Sequence, residues 1–267
     1  MSLRIIGGEF GGRTLKTVRG LGTRPLLGQV REALFNILGD QIEGAFVWDL
    51  FSGTGSSGIE SLSRGAARVL FVEKNGKAID ILRNNLRSLG DEAFERAVVV
   101  RADAWDPPLM HRPLFGAARD EDAGGEGAAD AYVPEDGTSA SDAPASDASA
   151  SDASASDASV SDASVSGADV EVAPDIIFLD PPYSMVAEDP VKSMARARRL
   201  LDRTAAKGCV LFHFERGVLD EDDFDSDLDI DLREWGTSVI AMLWRKGDAP
   251  AAVHKRRAKE RAKSTES

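Results

Sequence analysis

The chain predicts an α/β fold: a mostly parallel sheet with an antiparallel edge strand, preceded by a small amino-terminal hairpin and helix. Three observations carry this prediction. Short apolar runs alternate with segments whose apolar residues follow helical spacing. One run, residues 45–50, empties into a glycine turn, Phe51-Ser52-Gly53-Thr54-Gly55-Ser56-Ser57-Gly58, and then a helix. Another, Ile176-Ile177-Phe178-Leu179, delivers Asp180-Pro181-Pro182-Tyr183 to its end. Runs without alternating polar residues suit strands covered on both faces, as in a doubly wound sheet.

Taken in order, residues 3–17 read as a small hairpin, and residues 28–38 as a helix whose Val30, Ala33, Leu34, Ile37 and Leu38 point to a core. The strand 45–50 and glycine turn lead to a helix over residues 59–64 that Gly65 can end. Val69-Leu70-Phe71-Val72 is the next strand and ends at Glu73. Ile79, Leu82, Leu86 and Leu89 form a helical stripe, and residues 97–101 a third strand. After the strand at 176–179, Asp189 as cap and Pro190 at the first position begin a helix to about Arg203. Residues 209–215 are the fifth strand, and 232–235 with 237–244 the closing antiparallel pair about Gly236. The acids from Asp220 to Asp231 read as a solvated loop.

The formal net charge of -13 and pI near 4.8 argue against a nucleic-acid partner until the charge is located. Residues 116–173 hold fourteen acids and one base, Arg119, so the remainder carries 31 charges of each sign. This stretch contains a five-residue Ser-Asp-Ala repeat from Ser141 to Val165 with almost no large apolar side chain. It cannot bury enough surface to offset its ordering entropy and is expected to be a disordered acidic insertion. The expected organisation is a hairpin and helix at 1–40, a catalytic domain at 41–115 and 174–246, the insertion at 116–173, and a basic flexible tail at 247–267. Residues 1–37 carry Arg4, Arg13, Lys16, Arg19, Arg24 and Arg31 against Glu9 and Glu32, a basic arm suited to phosphates.

The chemistry concentrates at two places. Pro181 forces Asp180 out of the helical region, and neither proline has an N–H, so the turn offers acceptors without competing donors. An exocyclic amine of a nucleobase can donate to the Asp180 carboxylate and a proline carbonyl while Tyr183 stacks on the ring. A proline turn that merely closes a strand would have the same letters. The second place is the glycine turn, which permits close backbone approach, with Glu73 twenty positions after Gly53 to accept the hydroxyls of a ribose. Gly53-x-Gly55-x-x-Gly58 also matches a dinucleotide fingerprint, so a dehydrogenase has to be weighed. Asp49 tips the balance, because a carboxylate beside the glycines repels a pyrophosphate but pairs with the ammonium of S-adenosylmethionine. Asp103, after the third strand, can accept the adenine amine.

These residues lie within a wider resemblance. The chain resembles the bacterial small-subunit ribosomal RNA guanine-N2 methyltransferases of the RsmD type over roughly residues 3–106 and 175–245. The likeness rests on Arg4-Ile5-Ile6-Gly7-Gly8 with Gly12-Arg13, Thr23-Arg24-Pro25, Val30 to Leu38, Asp49-Leu50-Phe51-Ser52-Gly53-Thr54-Gly55, Leu62 to Ala66 and the Asp-Pro-Pro-Tyr motif. It implies a class I, Rossmann-like methyltransferase fold, S-adenosylmethionine as donor, and N2 of a guanine in 16S rRNA or a small-subunit assembly intermediate as acceptor. Catalysis is then expected from Asp180, Pro181, Pro182 and Tyr183, by direct in-line transfer. Cofactor binding is expected from Asp49, Phe51, Gly53, Gly55, Glu73, Lys74, Asp103 and Ala104, and RNA contact from Arg4, Arg13, Arg24 and Arg31. The chain departs from the family where Leu26, Gly28 and Gln29 replace a hydroxyl residue, an acid and a base.

A DNA adenine-N6 methyltransferase and a non-catalytic assembly factor are the alternatives. Lone Cys209 suggests a reducing cytoplasm, and scattered His111, His213 and His254 give no metal spacing. No membrane-length apolar run is present, and a monomer is expected.

Overall fold

The computed structural model describes residues 3–17, 28–109 and 172–256. A two-stranded antiparallel hairpin, β1 (Leu3–Arg4) and β2 (Thr14–Leu15), precedes helix α1 (Gly28–Leu38). There follow β3 (Phe46–Leu50), α2 (Ser56–Ser63), β4 (Arg68–Glu73), α3 (Gly76–Leu89), α4 (Asp91–Glu95) and β5 (Ala97–Arg101). The second half comprises β6 (Ile176–Leu179), α5 (Tyr183–Glu188), α6 (Pro190–Asp202), β7 (Cys209–Glu215), β8 (Leu228–Trp235) and β9 (Ser238–Arg245).

The main sheet has seven strands in the order β5-β4-β3-β6-β7-β9-β8. Strands β3 to β7 are parallel, while β9 runs antiparallel to both β7 and β8. This is the Rossmann-like α/β sheet with an antiparallel edge that the alternating pattern predicts. The chain builds outward from β3 to β5 and then returns to place β6 on the other side of β3. That reversal is a topological switch point, and ligands of open α/β sheets bind outside the carboxyl ends of the strands there.

Each strand contributes to two cores because successive side chains point to opposite faces. Val47, Val69, Phe71 and Phe178 face one cluster with α1, α2 and α3, while Trp48, Leu50, Leu70, Leu179 and Phe212 face the other with α6. In α1, Phe35 is fully buried and stacks on Phe178 at 5.4 Å, whereas Ala33 and Ile37 are only partly covered. The buried face is therefore rotated from the predicted one toward Arg31 and Phe35.

Side chains on α2 and α3 tie the amino-terminal hairpin to the body. Glu60, fully buried on α2, accepts from the backbone N–H groups of Ile6 (2.8 Å) and Gly7 (3.0 Å). Ser63 donates to the Gly7 carbonyl and accepts from Phe10 N, and Asn85 of α3 binds both backbone groups of Lys16. Gly8, at φ 75°, allows this approach, since a Cβ there would meet the Ser63 carbonyl oxygen at 1.8 Å. The hairpin is thus built onto the body beside the main sheet rather than held out as an arm.

Several expectations need correction. Helix α2 begins at Ser56, directly in the glycine turn, and Tyr183 opens a six-residue helix, α5, that its sequence did not announce. The acids before residue 232 are not all solvated: β8 begins at Leu228, with Asp229 and Asp231 buried within it. They are matched by donors. Asp231 binds Arg233 (2.9 Å) and Arg256, and Asp229 accepts from Gly247 N (2.8 Å) near Lys246 and His254. The same contacts correct the flexible tail: residues 251–256 are helical, Ala249 and Val253 are buried, and Arg256 returns to β8. The tail beyond 256 and the insertion from 116 to 171 lie outside the described residues.

Candidate active site

Strands β3 and β6 pair in parallel with Leu50 opposite Leu179, so both chains leave the sheet side by side. The contact continues one residue further, where Asp180 N donates to the Leu50 carbonyl at 3.3 Å. The glycine turn and the Asp-Pro-Pro-Tyr turn therefore share one edge, at the switch point.

On the β3 side the turn is held by carboxylates. Glu73, at the end of β4, accepts from Gly53 N (2.9 Å) with one oxygen and from Lys74 N and Asn75 N (2.9 and 2.8 Å) with the other. Gly53 has φ 54° and open space where a Cβ would lie, which leaves room for a ligand against the backbone. Gly58 and Gly55 are required for packing instead: a Cβ at Gly58 would meet Phe71 at 2.2 Å, and one at Gly55 would meet Leu82 at 2.3 Å.

Asp49 is buried and accepts from Gly58 N at 2.8 Å, so it anchors the start of α2. Burial pushes its carboxyl well above the usual range; the Gly58 N–H opposes this, and the charges of Asp180 and Glu73 add to it. Asp49, the expected partner of an ammonium, is enclosed in this structure. Asp180 and Glu73, the two acids nearer the surface, gather the negative potential at this edge. Such a field suits a ligand with net positive charge and disfavours a pyrophosphate.

The floor between the two turns is aromatic. Phe51, one of two non-glycine residues with positive φ among those described, meets Trp105 edge to face at 5.3 Å. Trp105 donates its indole N–H to Met185 of α5 at 2.9 Å and lies under Arg196 at 5.2 Å. It follows buried Ala104 and the exposed Asp103, which accepts from Trp105 N at 3.0 Å. A backbone in the left-handed region at Phe51 is strained, and such strain tends to persist where function holds it.

On the β6 side, Pro181 is buried, and Pro182 caps α5 with its carbonyl accepting from Met185 N and Val186 N. Asp180 Oδ1 lies 2.6 Å from His213 Nδ1, His213 Nε2 lies 2.7 Å from the Tyr183 hydroxyl, and that hydroxyl lies 2.8 Å from Ser238 Oγ. The Tyr183 and His213 rings meet at 5.1 Å, nearly perpendicular. Sequence reasoning missed both His213 and Ser238. His213 sits between Phe212 and Phe214 in an apolar strand and reads there as an isolated core residue. No spacing signal links it to Asp180.

The basic residues divide. Arg4 and Arg13 are exposed, although Arg13 also donates to the Leu89 carbonyl (3.2 Å) and lies over Phe10. Arg31 corrects the expectation of an RNA contact: it is buried, bonds to the Arg4 carbonyl and faces Glu60 at 4.0 Å. Burial lowers its guanidinium pKa, with Glu60 opposing that effect. Arg24 lies outside the described residues. Among the described residues no helix is long and apolar enough to cross a membrane, and no cluster of three potential metal ligands occurs.

Residues 3–109 match the family described as Conserved hypothetical protein 95. The chain is 41% identical over 119 residues to YlbH of Bacillus subtilis, an alignment covering 45% of this chain and 60% of that protein. It is 38% identical over 104 residues to Ribosomal RNA small subunit methyltransferase D of Haemophilus influenzae, covering 39% and 53% respectively. The aligned part thus spans about half the length of these curated relatives. The solved structure of yhhF from Escherichia coli superposes with a TM-score of 0.56 at 20% identity, covering 92% of this chain and 99% of that one. The resemblance to RsmD-type proteins stands on the sequence matches, and the Rossmann-like fold on the superposition.

Proposed function

We propose, from the RsmD-type resemblance of residues 3–109 and from the shared edge of β3 and β6, that this chain is an S-adenosylmethionine-dependent rRNA methyltransferase acting on N2 of a guanine in the small-subunit rRNA. The observation that carries the reading is the register of Leu50 against Leu179, which brings a nucleoside cradle and an amine-accepting turn together.

The residues present fit a cationic nucleoside. Glu73 is positioned to accept ribose hydroxyls, Asp103 the adenine amine, and the open face of Gly53 admits a ligand beside the backbone. Phe51, Lys74 and Ala104 frame this half, and Gly55 shapes the turn. Asp49 holds the turn from within by accepting from Gly58 N. When bound, S-adenosylmethionine supplies an electrophilic methyl group. Asp180 accepts one hydrogen of the guanine amine and the Pro181 carbonyl the other, while the Tyr183 ring clamps the base. Asp180 then takes the proton released as the amine is alkylated. Since orientation alone can contribute up to about 7–11 kcal/mol to such a step, the fixed geometry of this turn is the main contribution of the protein. The base has to leave any stack to reach it, which favours a loop or exposed single strand. Arg4 and Arg13 are among the exposed basic residues available for the phosphates.

Calorimetry is expected to detect S-adenosylmethionine binding and no NAD binding. Labelled donor is expected to transfer to small subunits from cells lacking the corresponding modification, and not to duplex DNA. Label on DNA adenine, or NAD binding without transfer, would contradict the proposal.

A further inference from the structure

We infer that His213 is a positioning residue that fixes the Asp180 carboxylate, and that Tyr183 and Ser238 fix the tautomer of His213; this rests on the methyl-transfer reading above. Hydrogen-bond polarity orders these contacts. An ionised carboxylate only accepts, so the 2.6 Å contact to Asp180 Oδ1 requires the proton on His213 Nδ1. A neutral imidazole then carries a lone pair on Nε2, and the 2.7 Å contact makes the Tyr183 hydroxyl its donor. Having donated its proton, the Tyr183 oxygen accepts from Ser238 at 2.8 Å. The four groups thus form one chain with a single consistent direction: Ser238 to Tyr183, Tyr183 to His213, His213 to Asp180.

Burial gives the chain its force. His213 is 3% exposed and Ser238 6%, so neither exchanges these partners freely with water. Both sit on paired strands: β7 is hydrogen-bonded between β6 and β9, and Ser238 opens β9 opposite Glu215. The sheet therefore holds the donor rigidly, while Asp180 stands just past the end of β6 with its side chain 26% exposed. With Oδ1 held, the carboxylate cannot rotate freely, and its remaining acceptor capacity is oriented before any amine arrives. The Tyr183 hydroxyl anchors the ring by the same chain. The clamp and the acceptor, which the motif supplies as neighbours in sequence, are thereby locked to one another through β7 and β9.

The test has an arm that does not need the substrate. In protein labelled with ¹⁵N at histidine, long-range proton–nitrogen correlation is expected to show His213 as the Nδ1–H tautomer, and Asp180→Ala to shift it toward the commoner Nε2–H form. An Nε2–H tautomer in the unaltered protein would overturn the inference, whatever the substrate. The kinetic arm applies once transfer is observed. His213→Ala is expected to lower kcat about 10- to 100-fold with S-adenosylmethionine Kd unchanged, as loss of an orienting partner does. His213→Asn, whose amide can donate from the Nδ1 position, is expected to recover most of kcat, and His213→Gln is not. Equal impairment of the Asn and Ala variants, or normal turnover in Ala, would overturn it. If the Ala variant fails to fold, the Asp180→Ala tautomer measurement carries the test, with loss of the single Nδ1–H form expected and an unchanged signal contradicting the proposal. Failure of transfer in the unaltered protein would refute the proposed function and leave the tautomer result standing.

Discussion

At the scale of single residues, the site depends on what each carboxylate already holds. Asp180 is tied on one side to His213, Glu73 to three backbone N–H groups, and Asp49 to Gly58. Only Asp180 stands where a reacting amine is proposed. Asp180→Ala is expected to lower transfer by about 10²–10⁴-fold, the usual size of a general-base contribution, with S-adenosylmethionine binding retained in calorimetry. Asp49 gives a pH signature. Its folded carboxyl holds a proton at pH values where the unfolded chain has released it. Stability from this group therefore falls as pH rises from the ordinary carboxylate range through the raised folded value. Asp49→Asn keeps an acceptor for Gly58 N and removes that fall, so melting curves of the two proteins are expected to diverge as pH rises across this window. Parallel curves would contradict it. Asp180 and Glu73 were legible in sequence because each ends an apolar run; His213 was not, because a histidine among phenylalanines carries no mark of a partner 33 positions away.

Elements show why some charges were misread. Arg31 lies on a helix whose apolar spacing was visible, but the phase of burial was set by Phe35 against Phe178 and by the buried Glu60 on α2. Sequence shows a charge; only packing shows that its counter-charge is buried with it. Arg31→Met is expected to cost about 1.5–3 kcal/mol of stability through loss of charged hydrogen bonds, measured by urea denaturation, with no change in the salt dependence of RNA binding. A reduced salt slope would return Arg31 to the RNA-contacting set. Strand β8 was shortened in the sequence reading for a related reason, since Asp229 and Asp231 resemble loop acids until Gly247, Arg233 and Arg256 are brought to them by the fold. By contrast, the helix begun by Asp189 and Pro190 was legible, because cap and first turn are local: Asp189 accepts from Lys192 N at 3.0 Å. Glycine roles were legible only in part. Gly58→Ala is expected to destabilise the protein by about 1–3 kcal/mol through overpacking against Phe71, with the same measurement as check.

For the whole molecule, charge and topology separate cleanly in sequence. Residues 116–171 carry the acidic excess, and the remainder is balanced. In sequence they lie between β5, after whose carboxyl end Trp105 borders the proposed site, and the amino-terminal end of β6. Removing residues 116–171 is expected to change affinity for rRNA at fixed salt by less than about threefold, since Arg4 and Arg13, the proposed phosphate contacts, are untouched. A marked gain would mean that the acidic segment competes with rRNA. The parallel sheet itself was legible from apolar runs and the acid after the second of them, and the switch point follows from strand order alone. The most direct test is mass spectrometry of nucleosides from 16S rRNA after incubation of unmodified small subunits with donor and either the unaltered protein or Asp180→Ala. N2-methylguanosine is expected with the former and at least about 100-fold less with the latter. Methylation of another base, or equal N2-methylguanosine from both proteins, would contradict it.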